Sequence, residues 1–64
     1  MFLAVECGQL EIPVNGSRQG SLTTFPNTIK FECDEGFILH GSRYRVCQAN
    51  RTWSGVAAKC IGKD

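Results

Sequence analysis

The stretch Ile29-Lys30-Phe31-Glu32-Cys33-Asp34-Glu35-Gly36-Phe37 decides the fold. In an extended chain Ile29, Phe31 and Cys33 share one face and Lys30 and Glu32 the other, the alternation of a half-buried strand beginning near Thr28. Asp34-Glu35-Gly36 turns the chain, and Phe37-Ile38-Leu39 resumes it. After a second turn at His40-Gly41-Ser42, Tyr44 and Val46 alternate with Arg43 and Arg45. That alternation leaves Cys47 on the arginine face, so a bend, a bulge or uneven burial is expected there. Upstream, Leu10, Ile12 and Val14 alternate with Gln9, Glu11 and Pro13, and Pro13 limits the run to an edge or irregular strand. Asn15-Gly16 follows, a turn dipeptide in which both residues tolerate positive φ. Residues 17–26 read as an exposed loop or loosely paired excursion. Asn50-Arg51 makes the last turn, before Trp53. The sum is five or more short strands joined by glycine turns. The fold class is all-β.

A chain of 64 residues makes one domain. Domains below roughly 70–80 residues bury too little apolar surface to offset their ordering entropy without staples. Four cysteines, Cys7, Cys33, Cys47 and Cys60, supply the material. None forms the close Cys-x-x-Cys pair of zinc ribbons or thioredoxin-like redox motifs, and His40 is the only histidine. Two disulfides, and with them an oxidising compartment, are the better reading than a four-cysteine zinc site. Three pairings remain open from the sequence.

The net charge of +1 excludes a strongly basic nucleic-acid binder. Five acids stand against Arg18 and Lys30 in residues 1–38, while Arg43, Arg45, Arg51, Lys59 and Lys63 stand against Asp64 in residues 39–64. An elongated module could thereby be polarised end to end, unless folding interleaves the charges. No apolar run approaches the length of a membrane span, so direct membrane insertion is not expected. The apolar start at residues 1–5 is shorter than a secretory signal core and lacks a basic leader. The expectation is that the leader belongs to a larger parent.

These residues resemble the sushi, or complement control protein, repeat. The resemblance rests on the four cysteines, Asn15-Gly16, the run from Ile29 to Phe37, Leu39-His40-Gly41, and Thr52-Trp53-Ser54 ahead of Cys60. It spans residues 7–60, leaving 1–6 as linker or added residues and 61–64 as linker. It implies an elongated module of short antiparallel strands, with Cys7 paired to Cys47 and Cys33 to Cys60. Each implied loop is worth roughly 3–4 kcal/mol. It also implies Trp53 covering a disulfide. The chain departs from the family's usual proline before the last cysteine, where Val56-Ala57-Ala58-Lys59 stands instead.

Phe31, Phe37, Leu39, Tyr44 and Trp53 are the expected core. Phe2 and Phe25 are the expected exposed aromatics, because neither lies in a strand of clear register. Loops tend to carry function, so Arg18, Leu22 and Phe25 in the 17–26 segment are binding candidates, with Phe25 as the apolar anchor. Arg43 and Arg45, with Arg51 and Lys59, are candidates for an acidic protein or a sulfated glycosaminoglycan; the bland alternative is a solvated face. Asn50-Arg51-Thr52 and Asn15-Gly16-Ser17 match the glycosylation acceptor pattern. Of the two, Asn50 is favoured as the glycan site. No nucleophile is identified for His40 to activate, Asp34-Glu35 alone is thin for calcium, and no cofactor is expected.

The expected function is therefore non-catalytic: a protein-recognition module in a tandem extracellular array. The partners implied by the resemblance are extracellular or cell-surface proteins, complement fragments among them, and neighbouring repeats of the same chain. The alternatives are a structural spacer without its own ligand and a glycosaminoglycan-binding module. The expected location is extracellular, either secreted or in the ectodomain of a membrane-anchored parent.

Overall fold

A computed structural model describes residues 4–62. Phe2, an expected exposed aromatic, lies outside the described residues. Five strands occur in chain order: β1 (Gly16–Gln19), β2 (Thr28–Cys33), β3 (Phe37–His40), β4 (Tyr44–Val46) and β5 (Lys59–Gly62). They form an antiparallel three-stranded sheet ordered β1-β2-β4 and an antiparallel pair β3-β5. The molecule measures 52 × 17 × 12 Å. It is an elongated all-β module.

β2 organises it. Ile29 and Phe31 are buried on its inner face, and with Cys47 they are the fully buried apolar residues among those described. The disulfides Cys7–Cys47 and Cys33–Cys60 stand at opposite ends of β2, since Cys47 N donates to Asn27 O and Cys33 is the last residue of the strand. Their Cα separations of 5.7 and 5.5 Å are ordinary for a disulfide. With every cysteine paired, no thiolate is left for the zinc reading.

The expected strand at residues 28–33 and the turn after it are observed. The core set needs correction at Tyr44, which is 56% exposed. In the β2–β4 register Arg45 lies opposite Ile29 and Tyr44 opposite Lys30. Residues directly opposite share a face, so the arginine face is the inner one and Cys47 continues it without any bulge. Tyr44 stands outside, where the Lys30 ammonium lies 5.9 Å from its ring centroid. Arg45 reaches out along the core with its stem and donates from Nε to Ser54 O at 2.8 Å. Phe37, Leu39 and Trp53 are half-buried, and Ile29, absent from the expected core, is fully buried.

The 17–26 segment also differs. Ser17, Arg18 and Gln19 lie in β1, paired with Glu32, Phe31 and Lys30. Thr23 is buried between exposed Leu22 and half-buried Thr24, with its hydroxyl donating to the Glu6 carboxylate. Val5 and Glu6, expected as linker, bond to this segment: Val5 O accepts from Phe25 N, and Glu6 bridges to Thr24. At the other terminus Ile61 and Gly62, also expected as linker, pair with Ile38 and Phe37 in β5. The alternating run Leu10–Val14 forms no strand. The halves of opposite charge interleave, since β4 with Arg45 pairs with β2 and β5 with Lys59 pairs with β3.

Candidate functional site

The end of β2 near Thr28 carries the first group of candidates. Trp53 bridges Cys47 through its backbone, and its ring N–H donates to Gly8 O at 3.1 Å. It thus ties Cys47 to Gly8, the residue after Cys7. Glu6 accepts from the Thr23 hydroxyl and from Gly8 N, and these two bonds hold its carboxyl below the usual glutamate range. Leu22 and Phe25, both exposed, flank buried Thr23 and half-buried Thr24. The peptide bond Phe25–Pro26 is cis. Asn50 sits at the tip of the 48–52 loop, which is closed by backbone bonds from Gln48 N to Thr52 O and from Arg51 N to Gln48 O. Its side-chain oxygen accepts from the Thr52 hydroxyl at 2.6 Å.

The arginines gather elsewhere. Arg18 lies opposite Phe31 across β1–β2, and Phe31 N donates to Arg43 O on the other side. Arg18, Arg43 and Arg45 therefore belong to the inner face of one sheet, but each is already committed to a carbonyl. Arg18 donates to Leu10 O at 2.8 Å and to Gln9 Oε1 at 3.1 Å, Arg43 to Phe31 O and Arg45 to Ser54 O. Arg18 thus ties the 9–10 segment down. Asn15 takes φ 65° at a turn closed by Gly16 N donating to Pro13 O.

One feature had no strong signal in the sequence. Residues 9–14 and 57–59 are the two walls of a trough of about 440 Å³, with Phe31 and Arg45 between them. Pro13, Val14, Ala58 and Lys59 also line a second hollow of about 290 Å³ that reaches Cys60 and Ile61. The two hollows share those four residues and so adjoin. The walls of the trough meet only in the fold, because about 45 residues separate them in the chain. The alternation of Leu10, Ile12 and Val14 was the available signal, and it pointed to a strand.

Residues 7–60 match the sushi repeat (SCR repeat) family. The chain belongs to that family. Among relatives of this sushi repeat, the rat "Sushi, von Willebrand factor type A, EGF and pentraxin domain-containing protein 1" is 46% identical over 59 residues, covering 92% of this chain and 2% of the relative. Human "Sushi domain-containing protein 2" is 43% identical over 56 residues, or 88% of this chain and 7% of the relative. The "Membrane cofactor protein" of Pongo abelii is 50% identical over 34 residues, 53% of this chain and 10% of the relative. The repeat spans a small fraction of each. Its disulfide pairing is the one the resemblance implied, and its tryptophan stands beside the Cys7–Cys47 bridge.

Proposed function

We propose that this sushi repeat is a non-catalytic recognition module of a larger extracellular protein, acting beside neighbouring repeats of the same chain. The observation that carries this is where its apolar side chains lie. Ile12, Val14, Leu22, Phe25, Ile38, Tyr44, Val56 and Ile61 are exposed, against Ile29, Phe31 and Cys47 buried. Two disulfides constrain the unfolded chain and relieve the core of much of its task. Large side chains are thereby left available to partners, and contiguous exposed apolar surface marks interaction sites. Both bridges require an oxidising compartment, which supports the extracellular location. Arg18 commits both terminal nitrogens to Leu10 O and Gln9 Oε1, and Arg43 commits one to Phe31 O, which favours a protein partner over a sulfated glycosaminoglycan that needs a row of freely presented cations.

The rival is a spacer, which needs only length and stiffness. An exchange in the full-length parent separates them: this repeat is replaced by another sushi repeat of equal length, and partner binding is measured by surface plasmon resonance. A recognition module predicts loss of binding. Undiminished binding after the exchange establishes the spacer.

A further inference from the structure

We propose that the trough between residues 9–14 and 57–61 docks an extended segment of a partner protein in which apolar side chains alternate with carboxylates. This rests on the recognition reading and names its surface and ligand chemistry. The apolar half of the argument is exposure. Val14 is 81% and Ile12 59% exposed on one wall, and Ile61 is 48% exposed where the trough ends. Nothing in strand pairing requires Ile12 and Val14 to be apolar, since residues 9–14 form no strand at all, whereas Ile61 lies in β5 opposite Ile38.

The charged half is complementarity. Arg45 and Lys59 line the trough against one carboxylate, Glu11. The salt bridge among the described residues is Lys30–Glu32, on the other face of the sheet. Arg45 and Lys59 are thus not neutralised there. The Arg45 guanidinium is held through Nε by Ser54 O, which leaves its two terminal nitrogens to form the fork that suits a carboxylate. A side chain already held in place loses less entropy on binding. The layout favours an extended ligand, because the two hollows adjoin at Pro13, Val14, Ala58 and Lys59 and together reach from Gln9 to Ile61. β5 has β3 on one side only, so its second edge is open to main-chain pairing with such a segment.

The test is a selection of random dodecapeptides displayed on phage against the immobilised 64-residue chain. Expected winners combine Leu, Ile, Val or Phe with Asp or Glu. Lys59→Glu and Val14→Asp, both exposed and checked for folding by circular dichroism, should each weaken a selected peptide about tenfold or more, whereas Glu11→Gln should strengthen it. Enrichment of no such peptide overturns the proposal, and so does binding that is indifferent to all three substitutions. Peptides that depend instead on Leu22 and Phe25 overturn the trough and leave the recognition reading standing. Loss of that reading is detected separately, by the repeat exchange in the parent.

Discussion

Gly16 and Cys60 pack so closely that a β-carbon on Gly16 would lie 2.7 Å from Cys60 Sγ and 2.7 Å from Glu32 O. The sequence suggested a glycine needed for its turn conformation, but the positive φ belongs to Asn15, and Gly16 is already in β1 opposite Cys33. What position 16 requires is the absence of a side chain against the second disulfide. Gly16→Ala must displace backbone or bridge, and overpacking of this kind costs about 1–3 kcal/mol. In so small a domain each kcal/mol lowers Tm by roughly 4–8 °C. Gly8→Ala, with open space around it and only its φ of 90° at stake, should lower Tm less. Equal losses for the two variants in thermal melts would contradict the packing argument.

The bridges themselves close loops of 40 and 27 residues, each worth about 3.5–4 kcal/mol by chain entropy. That is comparable with the whole stability of a small domain. A reductant should therefore unfold the repeat, while a chelator leaves its near-ultraviolet circular dichroism unchanged. Unfolding by chelator alone is the result incompatible with this account.

Phe25 is 47% exposed beside buried Thr23. Phe25→Ala consequently removes little buried surface and should cost under about 1 kcal/mol, against the roughly 3–5 kcal/mol of a core phenylalanine. A loss in the upper range, measured by urea unfolding, would place the ring in the core.

Acid should loosen the segment around Glu6. Its hydrogen bonds to the Thr23 hydroxyl and Gly8 N depress its pKa in the folded state below the ordinary 4.5. A depressed folded pKa contributes stability that is fully present above the unfolded value and is lost as pH falls through the folded value. The contribution should therefore vanish in the window from about pH 4.5 downward. Glu6→Gln should flatten the acid limb of a Tm-against-pH curve. An acid limb identical in wild type and variant would remove Glu6 as its source.

The sequence revealed what local alternation encodes and missed what distant partners decide. β2 was legible because Ile29 and Phe31 alternate with charges and face a real core. β1 was not, because its inner side chain is Arg18, which lies opposite Phe31 and reaches the carbonyl of Leu10. Tyr44 was misplaced for the same reason: two arginines occupied the inner positions, and aromatic character outweighed register. The burial of Thr23 depends on Glu6, 17 residues earlier. Of the candidate site, Phe25 and Leu22 were readable as apolar residues in a polar loop, whereas the trough exists only once β5 lies beside Pro13 and Val14.

Asn50 should carry a glycan when the chain is made in a mammalian secretory host. It is exposed at the tip of the 48–52 loop, followed by Thr52, whose hydroxyl bonds the Asn50 side chain in the folded state. Threonine in the acceptor pattern at an exposed turn makes this the stronger of the two sites. Asn15 is also exposed, but its carbonyl accepts from Asp34 N at 2.8 Å, and the glycine and serine of its motif are locked into β1. Mass spectrometry with and without N-glycosidase should find occupancy at Asn50. Thr52→Ala should abolish it and Asn15→Gln should leave it unchanged. The position also has a consequence for binding. Asn50 belongs to the end of β2 marked by Cys47, whereas Val14 and Ile61 lie toward the end marked by Cys33 and Cys60. A glycan there leaves the trough open. Glycosylated and deglycosylated chains should bind trough-selected peptides with the same affinity, and a glycan-dependent loss would mean that the two surfaces are not separate.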